Sequence, residues 1–276
     1  MSIPSDESMS LEATVLDQEF AEVTHSLFED ADSLLVVNPA SDVFRTVILT
    51  ATEFDNELPD IKVLATPDLL KAAVEDFILA SQIADLIDQG TLSLRTTTDI
   101  ARSSLLISDN RVVSIVISGD ELTGLHSTDD SFVENVRTTF MDEWETGDEF
   151  TVRTPPLSRI QETLSDEFGN DVRDDFMMML ESVETVPGDD DDLDAVTITL
   201  LVAANNNELL YDIGKWGEDT GVASKATFSR TKTRLEDRGL IDTEKVPIDV
   251  GRPRLRLVLM ADDLEDVDSL ADQVTA

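Results

Sequence analysis

The chain has 276 residues, of which 41% are hydrophobic, and its 59 acidic and 20 basic side chains give a formal net charge of −39. This length and hydrophobic content can supply cores for one large domain or two ordinary ones, which excludes a disordered protein. With no cysteine and only two histidines, the sequence excludes disulfides and thiolate metal sites and disfavours histidine-based zinc sites and nucleophiles. We therefore expect neither cofactor, metal site nor catalytic activity.

The acidic surface predicts a salt-rich environment. Only six of the basic residues are lysines. Self-repulsion of so much negative charge opposes a compact state, and concentrated counterions relieve it. We expect a halophilic protein; an acidic protein from an environment of ordinary salt concentration is the alternative.

No segment approaches the ~18 apolar residues of a membrane span. Residues 1–12 lack the basic start and apolar run of a signal peptide. These features predict a cytoplasmic location without membrane contact.

The first part of the chain predicts an α/β domain over residues 21–154, after a flexible tail at 1–20. Buried strands are expected at 34–37 and 61–65, each followed by a helix. Thr66 is the predicted N-cap of the second helix, with Pro67 at its first position. That helix is predicted to continue through the apolar residues Leu69, Leu70, Val74 and Phe77.

Strands dominate after a further predicted helix at 78–88, which Gly90 ends. Four short runs predict a hairpin-like meander and lie at 92–95, 104–108, 112–117 and 121–125. A helix at 131–145 follows. Its apolar stripe is predicted at every fourth residue, namely Phe132, Val136, Phe140 and Trp144.

Two helical patterns, 157–168 and 172–183, predict a helical connector over residues 155–186. We expect this helix pair to hold a homodimer together. Residues 187–192 read as an acidic linker, because they lack the spaced ligands and bidentate glutamate of a calcium loop. A winged helix-turn-helix domain is predicted over 193–261, and an acidic tail over 262–276.

The predicted DNA-binding domain contains a local reversal of charge. Residues 221–260 carry nine Lys and Arg against five Asp and Glu. Helices are predicted at 193–204 and 208–218, and Gly221 separates them from a third, which Ser224 caps and Gly239 closes. Residues 254–259 then alternate charged and apolar side chains, as a β-hairpin wing would.

The third helix has two predicted faces. At 100° per residue, Phe228, Thr231 and Leu235 share the side that packs inward. Ala226, Ser229, Arg230 and Thr233 lie on the other side, which can face a groove. There Arg230 has the donor fork that suits guanine in a major groove. Lys225, Lys232, Arg234 and the wing arginines Arg252 and Arg254 are expected to neutralise phosphates. The predicted DNA-binding residues are Lys225, Ala226, Thr227, Ser229, Arg230, Lys232, Thr233, Arg234, Arg252 and Arg254.

The C-terminal motifs resemble a known family. Residues 208–219, 223–232 and 251–257 are similar to the haloarchaeal TbsP family of transcriptional regulators. The resemblance implies an archaeal, cytoplasmic regulator that binds double-stranded promoter DNA and acts in central carbon metabolism beside TrmB-type regulators.

A second resemblance concerns the N-terminal domain. Residues 104–113, 124–126 and 140–144 resemble the effector half of TrmB-like regulators, which is related to phospholipase D domains. Phospholipase D chemistry needs a His followed two residues later by Lys, but Ser127 and Thr128 follow His126. The resemblance therefore implies a sensor or dimerisation role without hydrolysis.

These patterns favour a homodimeric, sequence-specific transcription factor whose N-terminal domain senses a small-molecule effector or a second regulator. Two alternatives remain at this point. The α/β domain can instead bind or convert a metabolite at the turns 38–41 or 66–67, where strand ends meet helix N-termini. The winged helix can instead bind protein.

Overall fold

The computed structural model describes residues 20–98, 103–118, 121–185, 194–247 and 253–260, and the backbone of 14–16. The predicted linker at 187–192 and acidic tail at 262–276 lie outside the described residues, as does most of the predicted tail at 1–20. The chain divides into two compact units, residues 1–152 and 153–276. Within the described ranges, every helix is too short or too polar to cross a bilayer.

The first unit alternates strands and helices. Its elements are β1 (Thr14–Leu16), α1 (Phe20–Asp30), β2 (Ser33–Val37), α2 (Ser41–Thr52), β3 (Asp60–Ala65), α3 (Pro67–Ala73), α4 (Phe77–Asp88), β4 (Leu92–Thr96), β5 (Ser104–Ile107), β6 (Val112–Ser118), β7 (Glu121–Ser127), α5 (Asp130–Thr146) and β8 (Asp148–Glu149). The eight described strands form one mixed sheet in the order β1-β7-β6-β5-β2-β3-β4-β8. The strands β2, β3 and β4 are parallel neighbours. The predicted mixed α/β class is confirmed.

Helices cover both faces of this sheet, which explains why its central strands are apolar on both sides. Leu34 and Val36 of β2 pack in the core with α1, α2 and α4. Leu35 and Val37 face the opposite way, into a second core with Trp144 of α5. Because successive side chains of β2 point to opposite faces, this strand contributes to the cores on both sides of the sheet.

The structure corrects three details of the prediction for this unit. The helix after Thr66 ends at Ala73, because Asp76 accepts hydrogen bonds from the backbone of Ile78 and Leu79 and so starts α4. The strand β4 is not part of the meander. The chain crosses over from β3 through α4 to β4, and β4 pairs parallel with β3. The strands β5, β6 and β7 form the antiparallel meander.

The third correction concerns α5. Phe132 is 45% exposed, and Val133 is buried instead. A stripe at every fourth residue drifts by about 40° per step around a helix of 3.6 residues per turn. Twelve residues before Trp144, Phe132 has therefore rotated off the inner face.

The second unit is a helical domain with a β-hairpin. Its elements are α6 (Leu157–Phe168), α7 (Asn170–Thr185), α8 (Ala195–Asn205), α9 (Leu210–Thr220), α10 (Lys225–Asp237), β9 (Ile241–Val246) and β10 (Arg254–Leu259). The last two strands pair antiparallel, and Leu209 forms a bridge with Arg256 of β10. This is the order of a winged helix-turn-helix, with α8, α9 and α10 as its three helices and the hairpin as its wing.

The helices α6 and α7, which the sequence suggested as a connector, pack inside this unit. The indole N–H of Trp216 on α9 donates to Thr163 Oγ1 on α6 at 3.0 Å. The ring of Phe168 meets the Trp216 ring edge to face, with 6.4 Å between centroids. On α7, Asp175 accepts hydrogen bonds from the side-chain amides of Asn205 and Asn206. Both helices therefore share the core of the winged helix.

Candidate nucleic-acid interface

The turn between α9 and α10 is built from two local features. Gly221 ends α9 in the left-handed conformation, with φ of 91°, which glycine adopts without steric cost. The Ser224 side chain then accepts a hydrogen bond from the backbone N–H of Thr227 at 3.2 Å and caps α10. Both features follow the sequence prediction. They fix the direction in which α10 leaves the turn.

The predicted inner face of α10 is confirmed. Phe228 and Leu235 are at most 1% exposed, and Thr231 is 7% exposed. Their spacing of three and four residues places them on one side of the helix. The opposite side of α10 is consequently free to meet a partner.

The outer face carries small polar residues and one arginine. Ala226, Ser229, Arg230 and Thr233 are all exposed, as predicted from the helical period. Thr227 is half-buried, and its hydroxyl accepts a hydrogen bond from the Arg230 guanidinium at 3.4 Å. Among the described residues, Arg230 has no ion pair. Its charge is therefore available to a ligand.

Lys225, at the first position of α10, is exposed but paired with Glu218 of α9. The hydrogen bond that Lys225 donates to Glu218 raises the pKa of Lys225 above its ordinary value, helped by the negative charges of Glu218 and Asp219. The lysine therefore remains a cation over the whole working range of pH. A phosphate near this end of α10 would compete with Glu218 for it.

Two of the predicted phosphate-binding residues are placed differently. Lys232 is only 14% exposed and pairs with Glu236 at 2.6 Å. The Arg234 guanidinium donates to Thr197 Oγ1 on α8 at 3.1 Å. Acceptors within the domain thus hold both side chains, and each is only partly exposed beside the packed face of α10.

In the wing, Arg254 is bound within the domain. Its Nη1 donates to both carboxylate oxygens of Asp212 on α9, at 2.9 and 3.0 Å. Its guanidinium also lies over the ring of Tyr211, 4.6 Å from the centroid. Burial raises the pKa of the neighbouring carboxyl Glu208, and the negative charge of Asp212 raises it further. Arg254 therefore joins the wing to the start of α9.

The remaining wing arginine of the prediction, Arg252, lies outside the described residues. Tyr211 and Asp212 were missed because their cation, Arg254, is distant in sequence, and Glu218 was missed because its cation, Lys225, lies on the next helix. Lys245 on β9, which the sequence left without a role, is exposed on the same hairpin. Within the described ranges, no group of three His, Asp or Glu side chains is placed to hold a metal ion.

Comparison with known proteins identifies both halves of the chain. Residues 12–155 match the model of the N-terminal domain of TbsP-like transcriptional regulators. Residues 156–275 match the model of the C-terminal helix-turn-helix domain of the same family. No match was found among curated proteins.

A solved structure, described as that of TrmBL2, an archaeal chromatin protein with a novel mode of DNA binding, is also similar. It shares 20% sequence identity over 52% of this chain and 56% of its own, with a TM-score of 0.36. The similarity thus spans little more than half of that protein. The two family models together leave few residues unmatched, and the chain belongs to the family of TbsP-like transcriptional regulators.

Proposed function

We propose that the protein is a sequence-specific DNA-binding transcriptional regulator that reads a major groove with α10. The observation that carries the proposal is the outer face of α10, where Ser229, Arg230 and Thr233 are exposed together on a capped helix beside a wing. A helix of this kind fits the width of the B-DNA major groove. The membership of the chain in a family of transcriptional regulators supports the same function.

Within this proposal the exposed residues have distinct roles. Arg230 reads a guanine edge, because its planar donor fork matches the two acceptors of that base. Ser229 and Thr233 make smaller contacts on either side, and Ala226 and Thr227 lie at the helix end that approaches the bases first. Lys225 and Arg254, with Arg252, contact phosphates, which position the domain without reading sequence. Lys232, which is only 14% exposed, and Arg234, whose Nε is buried, are left out of the interface.

The charge of the chain shapes how such a protein binds DNA. Each phosphate contact loses strength as salt rises, because its binding free energy comes from counterion release. In the salt-rich cytoplasm that we infer from the net charge of −39, base contacts carry more of the discrimination. A single free arginine on α10 suits that regime better than a broad cationic surface.

The N-terminal unit completes the proposal. We assign it the sensing of a small-molecule effector or a second regulator, with genes of central carbon metabolism as targets, on the resemblance to TbsP and TrmB-type regulators. A homodimer would let two copies of α10 read two half-sites one helical turn apart. Sedimentation in molar potassium chloride measures the oligomeric state.

The function is tested by selection from fragmented genomic DNA with the full chain in molar potassium chloride, followed by sequencing of the retained fragments. We expect a short set of upstream regions that share a motif. The matched control is Arg159→Ala, which removes an exposed arginine from α6 of the same unit and should leave the selected set unchanged. Retention of no fragment, or of fragments without a common motif, would contradict the proposal.

A further inference from the structure

A cleft of about 470 Å³ opens between the start of α9, the start of α10 and the beginning of β10. Ligand pockets in proteins commonly span ~300–1,000 Å³. Leu210, Phe228, Pro253 and Leu255 give the cleft apolar walls. Gly214 contributes to its lining without a side chain. A small molecule of moderate size can therefore bury an apolar body here.

The polar part of the lining has one sign of charge. Lys225 and Arg254 line the cleft together with Ser229 and Tyr211. Among its described lining residues there is no carboxylate, although the chain contains 59 Asp and Glu. The carboxylates that hold the two cations, Glu218 and Asp212, stand outside the lining. The charged residues that line the cleft are thus both cations, next to apolar walls.

We propose that this cleft binds a small organic anion, with a ring or branched apolar body and one carboxylate or phosphate group. The body contacts Leu210 and Leu255, and the anionic group lies between Lys225 and Arg254 with the Ser229 hydroxyl as a further donor. A DNA strand does not fit this description, because its charged backbone cannot bury apolar surface against the walls. The charged side chains of the lining are both cations although the chain is strongly acidic, and an anion is the ligand of complementary charge.

The position of the cleft gives its ligand a consequence for DNA, which rests on the proposed function. Lys225, Ser229 and Arg254 line the cleft and also belong to the proposed DNA interface. An anion bound there takes the donors that a phosphate backbone would use. Ligand and DNA are therefore expected to compete, so that a metabolite can release the regulator directly at its DNA-binding domain.

The first experiment uses the full chain without DNA. Calorimetric titrations are made with 1-naphthoate, 1-naphthyl phosphate and the neutral 1-naphthamide in molar potassium chloride. We expect at least one of the two anions to bind at least tenfold more tightly than the amide. Arg254→Gln and the exposed Ser229→Leu should each weaken that anion at least tenfold. The control Arg173→Gln removes an ion-paired arginine from α7 and should change the Kd less than twofold.

Two results would overturn the proposal: neither anion binds, or the cleft variants and Arg173→Gln bind the anion alike while circular dichroism shows them folded. The two anions also distinguish a carboxylate ligand from a phosphate ligand.

In the second experiment, a duplex selected by the protein is added to the anion complex. We expect the apparent Kd of the anion to rise at least fivefold. An unchanged Kd at saturating duplex would overturn competition, whereas failure to bind any duplex would count against the proposed function alone.

Discussion

Gly217 lies directly against the ring of Phe228. A Cβ atom on Gly217 would be 2.2 Å from Cε2 and 2.5 Å from Cζ of that ring. Because Phe228 is the largest buried side chain on α10, the missing Cβ sets how closely α9 approaches the recognition helix. The angle of the helix-turn-helix thus depends on one absent methyl group.

The variant Gly217→Ala should destabilise the second unit and weaken DNA binding. Overpacking costs about 1–3 kcal/mol, which exceeds the gain of at most ~1 kcal/mol from alanine in a helix. The matched control is Gly214→Ala, whose Cβ would meet its nearest neighbours at 3.8 Å and should be tolerated. Denaturant titration in a Trp144→Phe background, where Trp216 reports on the second unit, measures both. Equal unfolding free energies for the two variants would refute this packing argument.

In the first unit, Asp109 should make stability depend on pH. Burial raises the pKa of Asp109. The charge of Arg137 and hydrogen bonds from Ser33 and the backbone of Asp32 lower it by more, so the pKa of Asp109 lies below its ordinary value. A lowered folded-state pKa contributes stability above the unfolded-state pKa, and that contribution is lost as pH falls through the folded value.

Asp109→Asn should therefore be less stable than the wild type near neutral pH and approach it in acid, below about pH 4. Because Asp109 is 41% exposed, salt screening should keep the difference to about 1 kcal/mol or less. Unfolding titrations across pH measure it, with the exposed Asp142→Asn on α5 as the control. A difference in unfolding free energy between wild type and Asp109→Asn that grows in acid would contradict the predicted direction of the pH dependence.

Arg254→Gln should weaken the binding of all duplexes alike. The guanidinium is held by Asp212 on α9, and the proposal assigns it a phosphate contact, which carries no sequence information. Loss of one phosphate contact should reduce the slope of log Kobs against log salt by about 1. Fluorescence anisotropy at several potassium concentrations gives the slope, and Arg173→Gln serves as the control. A selective loss of the preferred sequence would instead make Arg254 a base-reading residue.

Lys232→Gln should leave DNA affinity nearly unchanged. Its ammonium group is paired with Glu236, which also accepts a hydrogen bond from Thr243. The expected effect is a loss of stability of about 0.5 kcal/mol, typical of such a helical ion pair. Anisotropy and denaturant titrations on the same variant separate the two effects. A tenfold loss of DNA affinity in a fully folded variant would return Lys232 to the interface.

Local spacing predicted much of this architecture, and distant contacts decided the rest. The Ser224 cap and the inward positions of Phe228 and Leu235 depend on residues within one or two turns, so the sequence determines them. The partner of Arg234 is 37 residues away and that of Arg254 is 42 residues away. A prediction from charge alone therefore treated both arginines as free cations, although each has an acceptor in the folded domain.

Other differences did have a sequence signal. Glu236 lies four residues after Lys232, which is the spacing of a helical ion pair. The drift of a four-residue repeat places Phe132 off the stripe of α5, and the crossover through α4 predicts a parallel β4. The cleft had no such signal, because its walls come from three separated segments.

The central claim, that Arg230 reads sequence, is tested most directly by the ratio of Kd values for a random duplex and the selected duplex of equal length. We predict that Arg230→Ala lowers this ratio about 5- to 150-fold, as expected for loss of one bidentate base contact of ~1–3 kcal/mol, while Arg159→Ala leaves it within twofold. An unchanged ratio for a folded Arg230→Ala variant would contradict the account.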